Sequence, residues 1–116
     1  MHSRFVLQSS GDQFTFNLKA AGNAEVILTS ERYRRKQSAL EGIEAVRTHA
    51  CSDDRFRRRR SKRGQPYFVL KAHNGEVIGT SELYSSRAAR EAGIEAVREH
   101  APKAHVEDLT SPSRCA

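Results

Sequence analysis

The chain is written twice, and nothing else in it restricts the fold as much. "EVILTSERYRRKQSALEGIEAVRTHA" (25–50) and "EVIGTSELYSSRAAREAGIEAVREHA" (76–101) align without a gap, with 15 of 26 positions identical. Allowing one extra residue in a turn extends the match backward, "QFTFNLKA" (13–20) against "QPYFVLKA" (65–72). Units below about 60 residues bury their apolar surface poorly. The two halves of this 116-residue chain are therefore expected to share one core.

Each copy reads in the same order. "RFVLQSS" is a short apolar run closed by the turn cluster Ser9-Ser10-Gly11-Asp12. "QFTFNLKA" sets Phe14, Phe16 and Leu18 against Thr15, Asn17 and Lys19, the period of a half-buried strand. Gly22-Asn23 and Asn74-Gly75 are hairpin turn residues, and "EVILTS" and "EVIGTS" are third strands. A helix follows. In copy two, Ser85 or Ser86 can cap it and Pro102 stops it. Ala89, Gly93, Ile94, Val97, His100 and Ala101 share one face; Arg87, Glu91, Glu95 and Arg98 share the other. A mid-helix glycine costs about 1 kcal/mol against alanine. Its presence at both Gly42 and Gly93 predicts a close approach of helix to sheet. Copy one carries Arg34-Arg35 where copy two has the capping serines. Cations there oppose the helix dipole, so that end should fray unless something anionic sits on it.

After each helix comes a last extended piece, 53–60 and 104–110. The fold class predicted is α+β: two tandem β-β-β-α-β repeats forming one pseudo-twofold, antiparallel-rich sheet with exchanged C-terminal strands and two helices packed on it. Repeat 1 spans about 4–52 and repeat 2 about 61–110, sharing a central strand 53–60 within a single domain, with 111–116 as a flexible tail.

The stretch "LKAHNGEVIGTSELYSSRAAREAGIEAVREHAP" (70–102) resembles the signature of the YegP-like repeat, an uncharacterised bacterial family. A degraded copy lies at 18–46, and the resemblance covers residues 5 to about 110. It implies the continuous sheet and exchanged strands, and no activity, cofactor or catalytic residue. The chain departs from the family pattern at "RYRRKQ" (32–37) and "RFRRRR" (55–60).

Those departures carry most of the charge. The net charge is +6, yet residues 32–63 hold twelve Lys/Arg against four Asp/Glu. Alternation along 55–60 sends Phe56, Arg58 and Arg60 to one face and Arg55, Arg57 and Arg59 to the other. Phe56 stands where copy one has Phe5, so its face should be covered, and Arg58, at the place of Leu7, must reach water or a carboxylate at the rim. One reading is a solvated strand whose charges prevent edge aggregation. The other is a phosphate-contacting surface of Arg57, Arg59, Lys62 and Arg63, joined by Arg34, Arg35 and Lys36.

The remaining signals are structural in type. Thr29-Ser30-Glu31 with Tyr33, and Thr80-Ser81-Glu82 with Tyr84, read as strand ends whose hydroxyls satisfy backbone groups. His49 and His100 sit in last helical turns, where they would face the helix dipole. Glu44/Arg47 and Glu95/Arg98 are surface pairs at i, i+3. Cys51 and Cys115 read as free thiols of a reducing cytoplasm. No apolar run suits a membrane span or a secretory signal, and no spacing suits a metal, phosphate loop or nucleophile elbow. The expectation is a small non-enzymatic cytoplasmic binding or structural module without cofactor. It would be a monomer acting as its own pseudo-dimer, with nucleic acid or another polyanion as the alternative partner.

Overall fold

Residues 3–20 and 25–110 are described by a computed structural model of the chain. The elements run β1 (Arg4–Ser10), β2 (Gln13–Lys19), β3 (Val26–Ser30), α1 (Lys36–His49), β4 (Phe56–Arg60), β5 (Pro66–Lys71), β6 (Val77–Thr80), α2 (Arg87–His100) and β7 (His105–Asp108). The seven strands among the described residues join one sheet in the order β4-β5-β6-β3-β2-β1-β7. Every neighbour is antiparallel except β7, which runs parallel to β1. The α+β duplication is the one the sequence predicts.

The copies meet at β3 and β6. There Thr29 pairs with Thr80, its own counterpart in the repeat, so the pseudo-twofold axis passes through this pair. Residues beside an axis would collide if both were large. The chain answers with Leu28, fully buried, in one copy and Gly79 in the other. A Cβ on Gly79 would lie 2.9 Å from Leu28 Cγ and 3.0 Å from the Thr29 carbonyl oxygen.

One apolar cluster spans both copies, with Phe5, Phe16 and Leu18 from one and Phe56, Phe68 and Leu70 from the other. In each copy the rings meet edge to face, Phe5 with Phe16 at 5.8 Å and Phe56 with Phe68 at 5.6 Å. The helices interlock the copies: α1 packs on β2 but also on β5 and β6, and α2 on β5 but also on β3. Burying one Phe or Leu side chain is worth about 1.5–3 kcal/mol. Separated halves would forfeit that at the positions each helix covers on the other copy.

Helix ends differ as the sequence predicts. Ser86 Oγ accepts from Ala89 N at 3.0 Å, whereas Arg35 at the start of α1 makes no side-chain cap. The anion that start calls for comes from β7: Lys36 Nζ and Asp108 Oδ2 are 2.6 Å apart. Hydrogen bonds from Lys36 and Thr110 hold the Asp108 carboxyl down at about 2.

Two details differ from the sequence reading. Residues 53–60 are central in the chain but not in the sheet: Asp53–Arg55 form a 3-10 turn, and β4 is an edge strand paired with β5 alone. Strand exchange is made by β7, which crosses to β1 of the first copy. After α1, residues 50–55 run straight into β4, leaving no chain for a matching strand. The Gly22-Asn23 turn, Cys115 and the 111–116 tail lie outside the described residues.

Candidate polyanion interface

β4 owes its sidedness to its place at the edge. Phe56 points into the core and is 3% exposed. Arg58, two residues on, shares that face, and its guanidinium grips both carboxylate oxygens of Glu91 at 2.9–3.0 Å and Asp53 Oδ1 at 3.0 Å. Glu91 also takes Arg90 Nε at 3.1 Å. In copy one the equivalent positions of Arg58, Glu91 and Arg90 are Leu7, Leu40 and Ala39. Leu7 is covered because β7 lies outside β1; among the described residues β4 has no strand outside it, so water reaches the same spot and a charged network replaces the apolar one. The Arg58 bonds push the Glu91 carboxyl below its ordinary range against the opposing effect of burial, with Arg90 assisting. Glu91 in turn raises Arg58 further above the guanidinium range. Arg58 is therefore spoken for, and Arg60 Nη1 donates to the Gly64 carbonyl at 2.9 Å.

Arg57 and Arg59 leave on the opposite face, where no helix of the described residues packs. Arg57 donates to the Asp54 carbonyl oxygen and Arg59 has no ion-pair partner among the described residues. The strand runs into a tight turn in which Ser61 Oγ accepts from the backbone of Arg63 and Gln65, and Gly64 takes φ 83°. That turn presents Lys62 and Arg63, both exposed. Arg57, Arg59, Lys62 and Arg63 thus make one continuous cationic strip along the β4 edge. Arg34, Arg35 and Lys36 do not join it. Lys36 is tied to β7, at the other edge of the sheet, about 29 Å away at ~4.8 Å per strand spacing.

The repeated Thr-Ser-Glu segments are structural. Ser30 Oγ accepts from Phe16 N at 2.8 Å and donates to the Glu31 carbonyl; Ser81 does the same with Phe68 and Glu82. Each strand end is thereby turned so that the following tyrosine lies over a helix glycine. Tyr33 stacks on Phe16 at 6.4 Å and Tyr84 on Phe68 at 6.2 Å. A Cβ on Gly42 would lie 3.1 Å from Tyr33 Cζ, and one on Gly93 2.7 Å from Tyr84 Cζ, which accounts for both glycines. Beside each tyrosine opens a shallow cavity. One, of about 360 Å³, is bounded by Tyr33, Gly42, Ala45, Glu76 and Ile78; its twin, of about 240 Å³, by Tyr84, Gly93, Ala96, Glu25 and Ile27. Burial and then the nearby carboxylates Glu82 and Glu25 push the Tyr84 hydroxyl up to about 12, and Tyr33 is raised likewise by burial, Glu31 and Glu76.

Both histidines sit in the last helical turns, and their neighbours differ. His100 Nδ1 bonds Ser3 Oγ at 2.5 Å. Burial, then Arg55 and His73, hold His49 below its ordinary value. Sequence reasoning also missed what the helix arginines reach. Arg47 donates to the Ala104 carbonyl at 2.6 Å and Arg98 to the Cys51 carbonyl at 3.4 Å, each holding the segment that follows the other helix. Glu44–Arg47 and Glu95–Arg98 are ion pairs as well. No helix among the described residues is long and apolar enough to cross a membrane.

A family model described as a domain of unknown function, DUF1508, matches residues 9–56 and again 61–108. The UPF0339 protein of Bordetella pertussis is 50% identical over 110 residues, covering 95% of this chain and 98% of that protein. Among solved structures, the UPF0339 protein of Shewanella oneidensis superposes with a TM-score of 0.89 at 45% identity, covering 98% of this chain and 97% of that one. The E. coli protein of unknown function yegP gives a TM-score of 0.89 at 41% identity, covering 97% of both chains.

Proposed function

This chain belongs to the DUF1508 family, whose description is a domain of unknown function, and we propose from its surface that it is a non-enzymatic cytoplasmic binding module that takes a polyanion on the β4 edge. One observation carries the reading. The basic segment is sorted: Arg58 is neutralised by Glu91 and Asp53, while Arg57, Arg59, Lys62 and Arg63 stay exposed on one strip with no carboxylate partner among the described residues. Charges that served only to discourage strand addition at an edge would not need to extend into the adjoining turn.

Phosphate contacts made by four cations would be salt-dependent and indifferent to sequence, because phosphates carry none. With four phosphates engaged on duplex DNA, log affinity should fall against log salt with a slope of about −3.6, a loss of about 150-fold from ~50 to ~200 mM. The test is retention on a heparin column and a salt-dependent gel shift, wild type against the variant carrying Arg57, Arg59, Lys62 and Arg63→Ser. Loss of retention in the variant supports the reading. Identical elution of the two proteins refutes it.

A further inference from the structure

The strand pairings line up one residue from every strand in a single row: Arg57, Val69, Thr80, Thr29, Asn17, Val6, Glu107. Directly paired residues share a face of a sheet. This face is the one the helices leave alone, since Val6 and Val69, though buried, stand outside the core cluster beneath the helices. Beside the row lie the pair Arg59–Tyr67, the pair Lys71–Val77, and the run Val26–Lys19–Arg4–His105. The face therefore presents Arg57 and Arg59 beside Tyr67 at one end with Lys71 beyond Val69, hydroxyl and amide groups of Thr80, Thr29 and Asn17 across the middle, and Lys19 at the other end. In these rows the one carboxylate is Glu107, and Arg4 Nε holds it at 2.8 Å.

We infer that this face binds single-stranded nucleic acid laid across the strands. The inference rests on the polyanion reading and names its ligand. Charge complementarity selects an anion, and the shape selects a single strand. A duplex is read by an element that enters a groove, and both helices lie on the opposite side of the sheet. A flat face with an aromatic ring beside guanidinium groups suits unpaired bases, which stack on the ring while cations follow the backbone. Tyr67, half-buried and paired across strands with Arg59, is the stacking group. The Thr80–Thr29–Asn17 stretch carries the strand across the pseudo-twofold, so the ligand spans both copies.

The experiment uses the whole chain and a labelled oligo(dT) of about twelve nucleotides, inside the ~4–16 typical of single-strand sites. Fluorescence anisotropy compares it with a duplex of equal length. Oligo(dT) should bind more tightly, and Tyr67→Leu should weaken it by about 5–160-fold, the span that one lost base stack covers, while heparin retention stays at the wild-type level. Amide resonances of Val69, Thr80, Thr29 and Asn17 should shift on titration. Tighter binding of duplex, an unaffected Tyr67→Leu, or shifts confined to residues 61–65 would overturn the inference while leaving the polyanion reading standing. Loss of both oligo(dT) and heparin binding in the Arg57, Arg59, Lys62, Arg63→Ser variant, with Tyr67→Leu silent, assigns the binding to charge alone and also overturns it. A concentration-dependent dimer in sedimentation whose interface covers this row would give the face to a second copy instead.

Discussion

The Leu28–Gly79 contact at the pseudo-twofold axis can be tested by a double-mutant cycle. Leu28 is fully buried, and replacing such a leucine by alanine costs about 3 kcal/mol in lost burial and residual cavity. Gly79→Ala puts a methyl 2.9 Å from Leu28 Cγ, 3.1 Å from Leu28 Cδ2 and 3.0 Å from the Thr29 carbonyl oxygen. Overpacking of that kind costs about 2 kcal/mol. Removing glycine from a strand returns about 0.5–1 kcal/mol, for a net loss of about 1 kcal/mol. Independent effects would sum to about 4 kcal/mol. They should not be independent, because Leu28→Ala removes two of the three atoms that the new methyl meets and the methyl fills part of the vacated space. The double variant should lose only about 2.5 kcal/mol, a coupling of about 1.5 kcal/mol. Urea unfolding reads this directly. At a slope of about 1.5 kcal/mol/M, the double variant should unfold about 1 M above the additive position. A double variant that falls on the additive value, or a Gly79→Ala variant with a raised midpoint, would show that close approach at the axis is not why the copies differ there.

Three further outcomes are expected. Arg58→Leu should cost about 1 kcal/mol, a modest figure because Arg58 and Glu91 are 32% and 44% exposed; adding Glu91→Leu together with Arg90→Ala recreates the Leu7–Leu40–Ala39 arrangement and should recover most of the loss in a thermal melt, whereas Glu91→Leu without Arg90→Ala leaves the buried Arg90 unpaired and should not. Tyr84, raised to about 12 against about 10 when unfolded, stabilises the fold fully below pH ~10 and loses that contribution as pH rises through ~12. Tyr84→Phe, which cannot ionise, should therefore show a flatter decline of urea midpoint over that interval, and an equal decline would contradict the assignment. Asp108, held near 2, contributes above pH ~4 and ceases to as pH falls through ~2; Asp108→Asn should flatten the acid limb, less so in high salt because the pair is exposed.

Much of this was legible from the residues because it is local. Alternation over Phe14, Phe16 and Leu18 marks a strand wherever that strand sits, and Ser86 caps α2 by contacts within one turn. Sheet order is not local. Nothing in the alternation of "RFRRRR" distinguishes an interior strand from an edge, and β7 finds β1 across almost the whole chain. Yet one signal was present. At matched positions of the repeat, Leu7 and Leu40 become Arg58 and Glu91, two apolar groups exchanged for opposite charges. Such a paired change says that the two positions touch and that one copy is wet where the other is dry. The tyrosines over Gly42 and Gly93 were half visible: the glycines announced a close approach, but not that a ring on the same copy would make it. The cationic strip was found in sequence for its charge. Its separation from Arg34, Arg35 and Lys36 follows from a topology that spacing along the chain does not encode.

The parallel seam between β7 and β1 has a consequence for synthesis. On the ribosome, β1 emerges early and can pair with β2 at once, but its outer row of amides and carbonyls stays bare until α2 and β7 have been made. For that interval the nascent chain displays an open strand edge, and the first copy is closed only by the completion of the second.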